Sequence, residues 1–272
     1  MKTKKRDLFS AKSRKVNKIL KKQALYFRES GIMKLPSKIG FSGKMAAGKT
    51  TISNLLANEY GYVVLPIGGR IKKVSNLLIE DRIELKKYLL DILPKENANK
   101  ALVPVEVVLG GLEELYESHF ASSVSLHGVH NVFIKDTNGV YQKNDYYRDL
   151  TQKVGSKVRA AYGEDVWVQI LLNEAELLIK QGEKVICDDI RLEVEYDLFN
   201  KQDYTLIRLD VDPEVQRNRI LDLYKTYNDE ALTHPTEVAL DNTYFKYRFD
   251  TSVDSVNTTF NKIDSLIKGG LV

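Results

Sequence analysis

The chain has 272 residues, 43% of them hydrophobic and 29% charged, proportions that allow a sizeable core and exclude fibrous or low-complexity character. The single cysteine, Cys187, excludes an internal disulfide and a multi-cysteine zinc site, and no run of about 18 apolar residues exists to span a membrane. The net charge of +4 is unevenly placed: residues 1–22 hold ten Lys/Arg against Asp7 alone, a net +9, so the other 250 residues are acidic overall.

In chain order, the basic stretch comes first. It reads as an extension over residues 1–30, ahead of one domain over 31–272. It is a solvated tail, an arm for weak contact with nucleic acid or an acidic partner, or a transit peptide. Ser37 to Ser42 then reads as a buried strand feeding a glycine loop. Ile52, Leu55, Leu56 and Tyr60 recur at helical spacing from Lys49, and Gly61 stops that helix. Gly61 to Pro66 is a second strand. Residues 70–93 are expected as one helix, Pro94 to Pro104 as a polar break, and 105–120 as another helix.

Asn131 to Tyr141 is the best hairpin signal, with Asn138-Gly139 suited to a tight turn that needs positive φ at both central residues. Helical patterns return over about 145–160 and 165–181. Glu183 to Asp189 and Tyr204 to Val211 are strands. Asp212-Pro213 opens a helix as N-cap and first residue, and Val256 to Ile267 is an amphipathic closing helix. The expected fold is α/β: a three-layer P-loop kinase arrangement with a mostly parallel central sheet and helices on both faces. A helical and hairpin substrate subdomain is inserted at about 81–145, and a lid lies at about 217–237.

Residues 43–50 read Gly-Lys-Met-Ala-Ala-Gly-Lys-Thr, the full G-x-x-x-x-G-K-[ST] pattern. Glycines and small residues let successive backbone N–H groups converge on phosphate oxygens, and the following helix aims its N-terminus at the same anion. Gly43, Lys44, Ala46, Ala47, Gly48, Lys49, Thr50 and Thr51 are therefore the expected ATP-binding residues. Lys49 reaches the β and γ phosphates, and the Thr50 hydroxyl holds Mg²⁺. Asp188 and Asp189 follow an apolar strand. A carboxylate placed there suits the Mg²⁺ shell or the attacking group, and strand alternation sends the two to opposite sides, so at most one faces the metal directly. Asp188 is the candidate metal ligand beside Thr50. The plain alternative is a cap for the next helix.

In a helix over 147–160, Arg148, Gln152, Gly155 and Arg159 share a narrow arc, apart from the apolar stripe of Leu150, Val154 and Val158. Two arginines and an amide suit a phosphate and a base edge, against the bland reading of a solvated face. Gly155 costs about 1 kcal/mol inside a helix, so close approach of a ligand or backbone is expected there. Arg217 and Arg219 follow the fourth strand, where an arginine-bearing lid can close over a transferring phosphate.

Together these segments resemble the bacteriophage-type deoxynucleoside monophosphate kinases, in pieces over about residues 37–268. The pieces are Ile39 to Thr51, Ile67 to Lys72, Leu150-Thr-Gln152 to Arg159 with Trp167-Val168, Asp189-Ile-Arg191 to Glu195, and His234-Pro-Thr-Glu237 with Leu240-Asp241. The resemblance implies Asp189 and Arg191 at an acceptor nucleotide, with Lys72, Arg148, Gln152, Arg159 and Trp167 holding it. It implies catalytic roles for Lys49, Asp189 and, from the lid, Arg217 and Arg219. Gly68-Gly69-Arg70 and Thr151 depart from the family pattern. The expected activity is transfer of the ATP γ-phosphoryl group to a deoxynucleoside monophosphate with Mg²⁺, in the cytoplasm (a host's, if the source is viral). A homodimer is a candidate assembly. The alternatives are a dephospho-coenzyme A kinase-like small-molecule kinase and a nucleotide-regulated nucleic-acid-binding protein.

Overall fold

A computed structural model describes residues 35–94, 103–142, 144–224 and 235–270. The basic extension, most of the expected break before residue 104, and residues 225–234 of the expected lid lie outside the described residues.

Strands β1 (Lys38–Ser42), β2 (Tyr62–Val64), β3 (Lys184–Ile190), β4 (Thr205–Asp210) and β5 (Tyr247–Asp250) form one parallel sheet. Their spatial order is β2-β3-β1-β4-β5. Parallel neighbours need crossovers, and here these are helical. Helix α1 (Lys49–Tyr60) joins β1 to β2. The long crossover from β2 to β3 carries α2 (Ile67–Glu80), α3 (Arg82–Ile92), α4 (Val105–His119), α5 (Ala121–His127), α6 (Val129–Val132), α7 (Asp145–Tyr162) and α8 (Val166–Lys180). Helix α9 (Glu193–Lys201) leads to β4, then come α10 (Pro213–Tyr224) and α11 (Pro235–Val238). After β5, α12 (Val256–Ser265) and a π-type turn over Leu266–Gly270 close the described chain.

Alternation along the strands splits the core in two. Ile39, Phe41, Ile186, Ile207 and Leu209 pack against Ile52 and Leu56 of α1 and Ile263 of α12. On the other face, Val185, Cys187 and Leu206 join a larger core with α2, α7, α8 and the residues of the expected insertion, among them Leu85, Leu112 and Phe133. The insertion is therefore continuous in packing with the sheet.

Three expectations are corrected. The single helix over 70–93 is two helices: Asp81 turns extended, and its carboxylate accepts the Ile83 and Glu84 amides at 3.0 Å each to start α3. The hairpin over 131–141 is reduced to one bridge between Lys135 and Tyr141, with residues 129–132 helical instead. In its turn only Gly139 has positive φ, and the Asp136 carboxylate organises it by accepting the Asn138 and Val140 amides. Strand β5, unread in the sequence, extends the sheet beside β4.

Candidate phosphate-binding site

The loop after β1 has a backbone that few residues could adopt. Gly43 has φ 147°, and a Cβ there would lie 2.3 Å from the Leu209 carbonyl oxygen. Glycine is required both for the conformation and for the approach of β4. Ala46 also has positive φ. Helix α1 then starts at Gly48 with no side-chain cap and no acid in its first turn, leaving its N-terminal amides and dipole for an anion.

Lys49 is buried and curls back over the loop, donating to the Gly43 carbonyl at 2.6 Å and the Lys44 carbonyl at 2.9 Å. Burial pushes its ammonium down to about 7, and Arg191 and Arg208 add to this against the opposing pull of Asp189 and Asp188. The Thr50 hydroxyl donates to Asp188 Oδ2 at 2.9 Å, tying the start of α1 to the end of β3. Burial raises the Asp188 carboxyl, and the Asp189 charge raises it further. Ala47 is buried, whereas Thr51 points to solvent.

Asp189 faces the other side of the sheet. Its carboxylate accepts the Ile67 amide at 2.6 Å and the Gly68 amide at 2.9 Å. It therefore caps α2 from across the chain, which is why that helix begins at Ile67 rather than at residue 70. Arg191, just past β3, pairs with the Glu237 carboxylate. Glu195 Oε2 accepts the Arg191 and Leu192 amides at 2.8 and 3.0 Å. Glu195 also feels the charges of Asp189 and Arg159, so Arg159 on α7 lies toward this end of β3.

The remaining expected residues divide. Lys72, Arg148 and Gln152 are exposed on α2 and α7. Arg159 is partly covered, and its Nε is buried without a hydrogen bond among the described residues. Trp167 is 1% exposed and donates its indole N–H to the Gly155 carbonyl at 3.1 Å. It presents no surface to a ligand here and holds α7 against α8. Among protein groups, Gly155 is approached by the Ile71 side chain of α2 and by no backbone: a Cβ there would lie 3.4 Å from Ile71 Cδ1. Arg217 is exposed on α10. Arg219 turns to the loop, donating to the Ala46 carbonyl at 3.2 Å and to Thr251 Oγ1 at 3.1 Å.

Several contacts to the loop had no sequence reading. Gln216 donates to the Met45 carbonyl at 2.9 Å. Glu237 Oε2 accepts the Met45 amide at 2.7 Å. Asp241 takes Lys44 at 2.9 Å and Arg208 at 2.7 Å. The one available signal was their place in the resemblance, where Glu237 and Asp241 both fall in the His234-to-Asp241 piece. A polar cavity of about 200 Å³ lies beside Lys44, lined by Arg208, Asp210, Asp241 and Arg248 among others. A second, of about 270 Å³, lies at Arg70 and Tyr88. Neither is lined by Arg148, Gln152 or Arg159.

Among the described residues no group of three or more His, Cys, Asp or Glu could hold a metal ion, and no helix is long and apolar enough to cross a membrane. No family model and no curated protein matches the sequence. Among solved structures, the chain is similar to TT1252 from Thermus thermophilus, with TM-score 0.42, 14% identity, and cover of 88% of this chain and 100% of that one. It is also similar to the dephospho-CoA kinase from Campylobacter jejuni, with TM-score 0.40, 14% identity, and cover of 87% and 100%. At that distance neither likeness assigns chemistry.

Proposed function

We propose that the chain transfers the γ-phosphoryl group of ATP to the 5′-phosphate of a deoxynucleoside monophosphate. The observation that carries the reading is the loop Gly43–Thr50, which needs glycine at position 43, is uncapped at Gly48, spanned by Lys49 and joined to β3 through Thr50 and Asp188.

An acceptor phosphate oxygen attacks the γ phosphorus, the bond to the β–γ bridging oxygen breaks, and ADP leaves with that oxygen. The acceptor oxygen is already anionic, so no strong base is needed, and positioning with charge neutralisation does most of the work. Lys49 and the loop amides hold the polyphosphate. Thr50 and Asp188 are the residues that would hold Mg²⁺: two oxygen donors in contact suit a hard cation that takes few protein ligands, and that ion neutralises phosphate charge when bound. Arg191, Arg159 and the exposed Arg148 and Gln152 supply cationic and amide groups on the acceptor side. Asp189 keeps the start of α2 in place. Gln216 and Arg219 fix the loop from α10. Trp167 supports the helix bearing the acceptor residues.

The test is coupled ADP release with ATP, Mg²⁺ and a panel of deoxynucleoside monophosphates, ribonucleoside monophosphates and dephospho-coenzyme A, with a control lacking acceptor. Turnover is expected with at least one deoxynucleoside monophosphate. Turnover with dephospho-coenzyme A alone, or equal turnover without acceptor, overturns the proposal.

A further inference from the structure

A buried carboxylate is costly unless its oxygens are met by donors. The Glu237 side chain is 4% exposed, and its two oxygens are met by the Met45 amide of the phosphate loop and by the Arg191 guanidinium. These donors come from distant parts of the chain, 192 and 46 residues away. We infer that this seat, between the Met45 amide and Arg191, is the subsite for an oxygen of the transferring phosphoryl group, and that Glu237 competes with the nucleotide for it. The inference rests on the kinase reading above and adds a site and a competitor to it.

Three features support it. First, carboxylate and phosphate oxygens accept the same charge-assisted hydrogen bonds, so one seat takes one of them at a time. Second, the seat lies where a terminal phosphate must pass: it is bounded by the loop on one side and, on the other, by the residue that follows β3. Lys49, which spans that loop, feels the Arg191 charge directly. Third, Glu237 does not act alone. Asp241, four residues on, takes Lys44 of the same loop and Arg208 of β4. The stretch 235–241 thus lays two carboxylates on Arg191, Lys44 and Arg208 and on the Met45 amide of the loop, offsetting a cluster of like charges.

The energetic consequence is a lowered population of the binding-competent state. The apparent dissociation constant rises as that fraction falls, and only for ligands that need the seat. ATP needs it and ADP, lacking the third phosphate, does not. A plain tether would behave otherwise, because loosening the loop would alter both nucleotides alike.

The experiment is isothermal titration of ATP and of ADP, each with Mg²⁺, into the full chain and its Glu237→Gln and Glu237→Asp variants. Glu237→Gln keeps an acceptor for the Met45 amide but removes the charge from Arg191. Glu237→Asp keeps the charge and withdraws it by one methylene. ATP is expected to bind about tenfold tighter to Glu237→Gln, and by a smaller factor to Glu237→Asp, with ADP changed less than about twofold. Equal changes for the two nucleotides, or weaker ATP binding, overturn the inference and leave the kinase reading standing. If the wild-type chain binds neither nucleotide, both fall together. If Glu237→Gln does not fold, as judged by its thermal melt, Glu237→Asp decides alone.

Discussion

Asp188 and Asp189 are neighbours in the chain but are committed to opposite faces of the sheet: one holds Thr50 at the start of α1, the other the first two amides of α2. Their neutral replacements should therefore differ in kind. Asp189→Asn keeps one acceptor oxygen but turns its NH₂ toward the other of the two N–H donors, and should cost about 1–3 kcal/mol, a fall of several degrees in melting temperature. Asp188 is a buried carboxylate whose ionised form is already disfavoured, so Asp188→Asn should leave stability near or above wild type while cutting turnover sharply. Thermal melts and ADP release on both variants check this. A larger melting loss in Asp188→Asn would reverse the assignment.

The depressed Lys49 gives a pH signature to anion binding. Its folded pKa, about 7, lies below the ordinary 10.5, so the folded chain carries the neutral amine over most of that window. The penalty on stability is complete below pH 7 and is lost as pH rises toward 10.5. A phosphate beside the amine favours the ammonium. Nucleotide binding at pH 8–9 should therefore take up about one proton, and affinity should fall as pH rises. Titrations in two buffers of different ionisation heat measure that uptake. Lys49→Met should show none, and an undiminished uptake in that variant would assign the proton elsewhere.

Glu195 carries a burial penalty of the opposite kind. Its carboxyl is pushed up to about 7 by burial, with Asp189 adding to the effect, while the Arg191 and Leu192 amides and Arg159 oppose it. The folded chain thus holds an extra proton between pH 4.5 and 7, and stability falls as pH rises through that window. Glu195→Gln keeps the acceptor oxygen and has no charge to bury. Its melting temperature, relative to wild type, should rise from pH 5 to pH 8, by an amount equivalent to roughly 1–3 kcal/mol. A difference that stays flat across the range would show that the carboxylate is ionised at no cost.

The phosphate loop, the three central strands and the flanking helices were legible because their signals are local: a spaced motif, apolar runs, and Gly61 as a stop. The break at Asp81 was legible in principle, since Asp81 and Glu84 form a capping pattern, but no glycine or proline interrupts the apolar spacing around it. The start of α2 was not, because its cap, Asp189, lies 121 and 122 residues along the chain from the amides it holds. Strand β5 escaped because four residues, Tyr-Arg-Phe-Asp, alternate in a polar setting like any surface segment. At the site, Lys49, Thr50 and Asp188 could be read from spacing. Glu237 and Asp241 could be quoted but given no role, because what they touch is set by tertiary folding. Trp167 and Gly155 were read from one stretch of sequence, but the hydrogen bond between them, which ties α7 to α8, is set by the packing of the two helices and has no local signal.

Both rims of the sheet are short: β2 has three residues and β5 four, and the outer strand sets Arg248 against Asp210. A rim that brief and that charged gives a foreign backbone almost nothing to zip onto. Among the described residues, the sheet edges therefore disfavour joining two copies strand to strand.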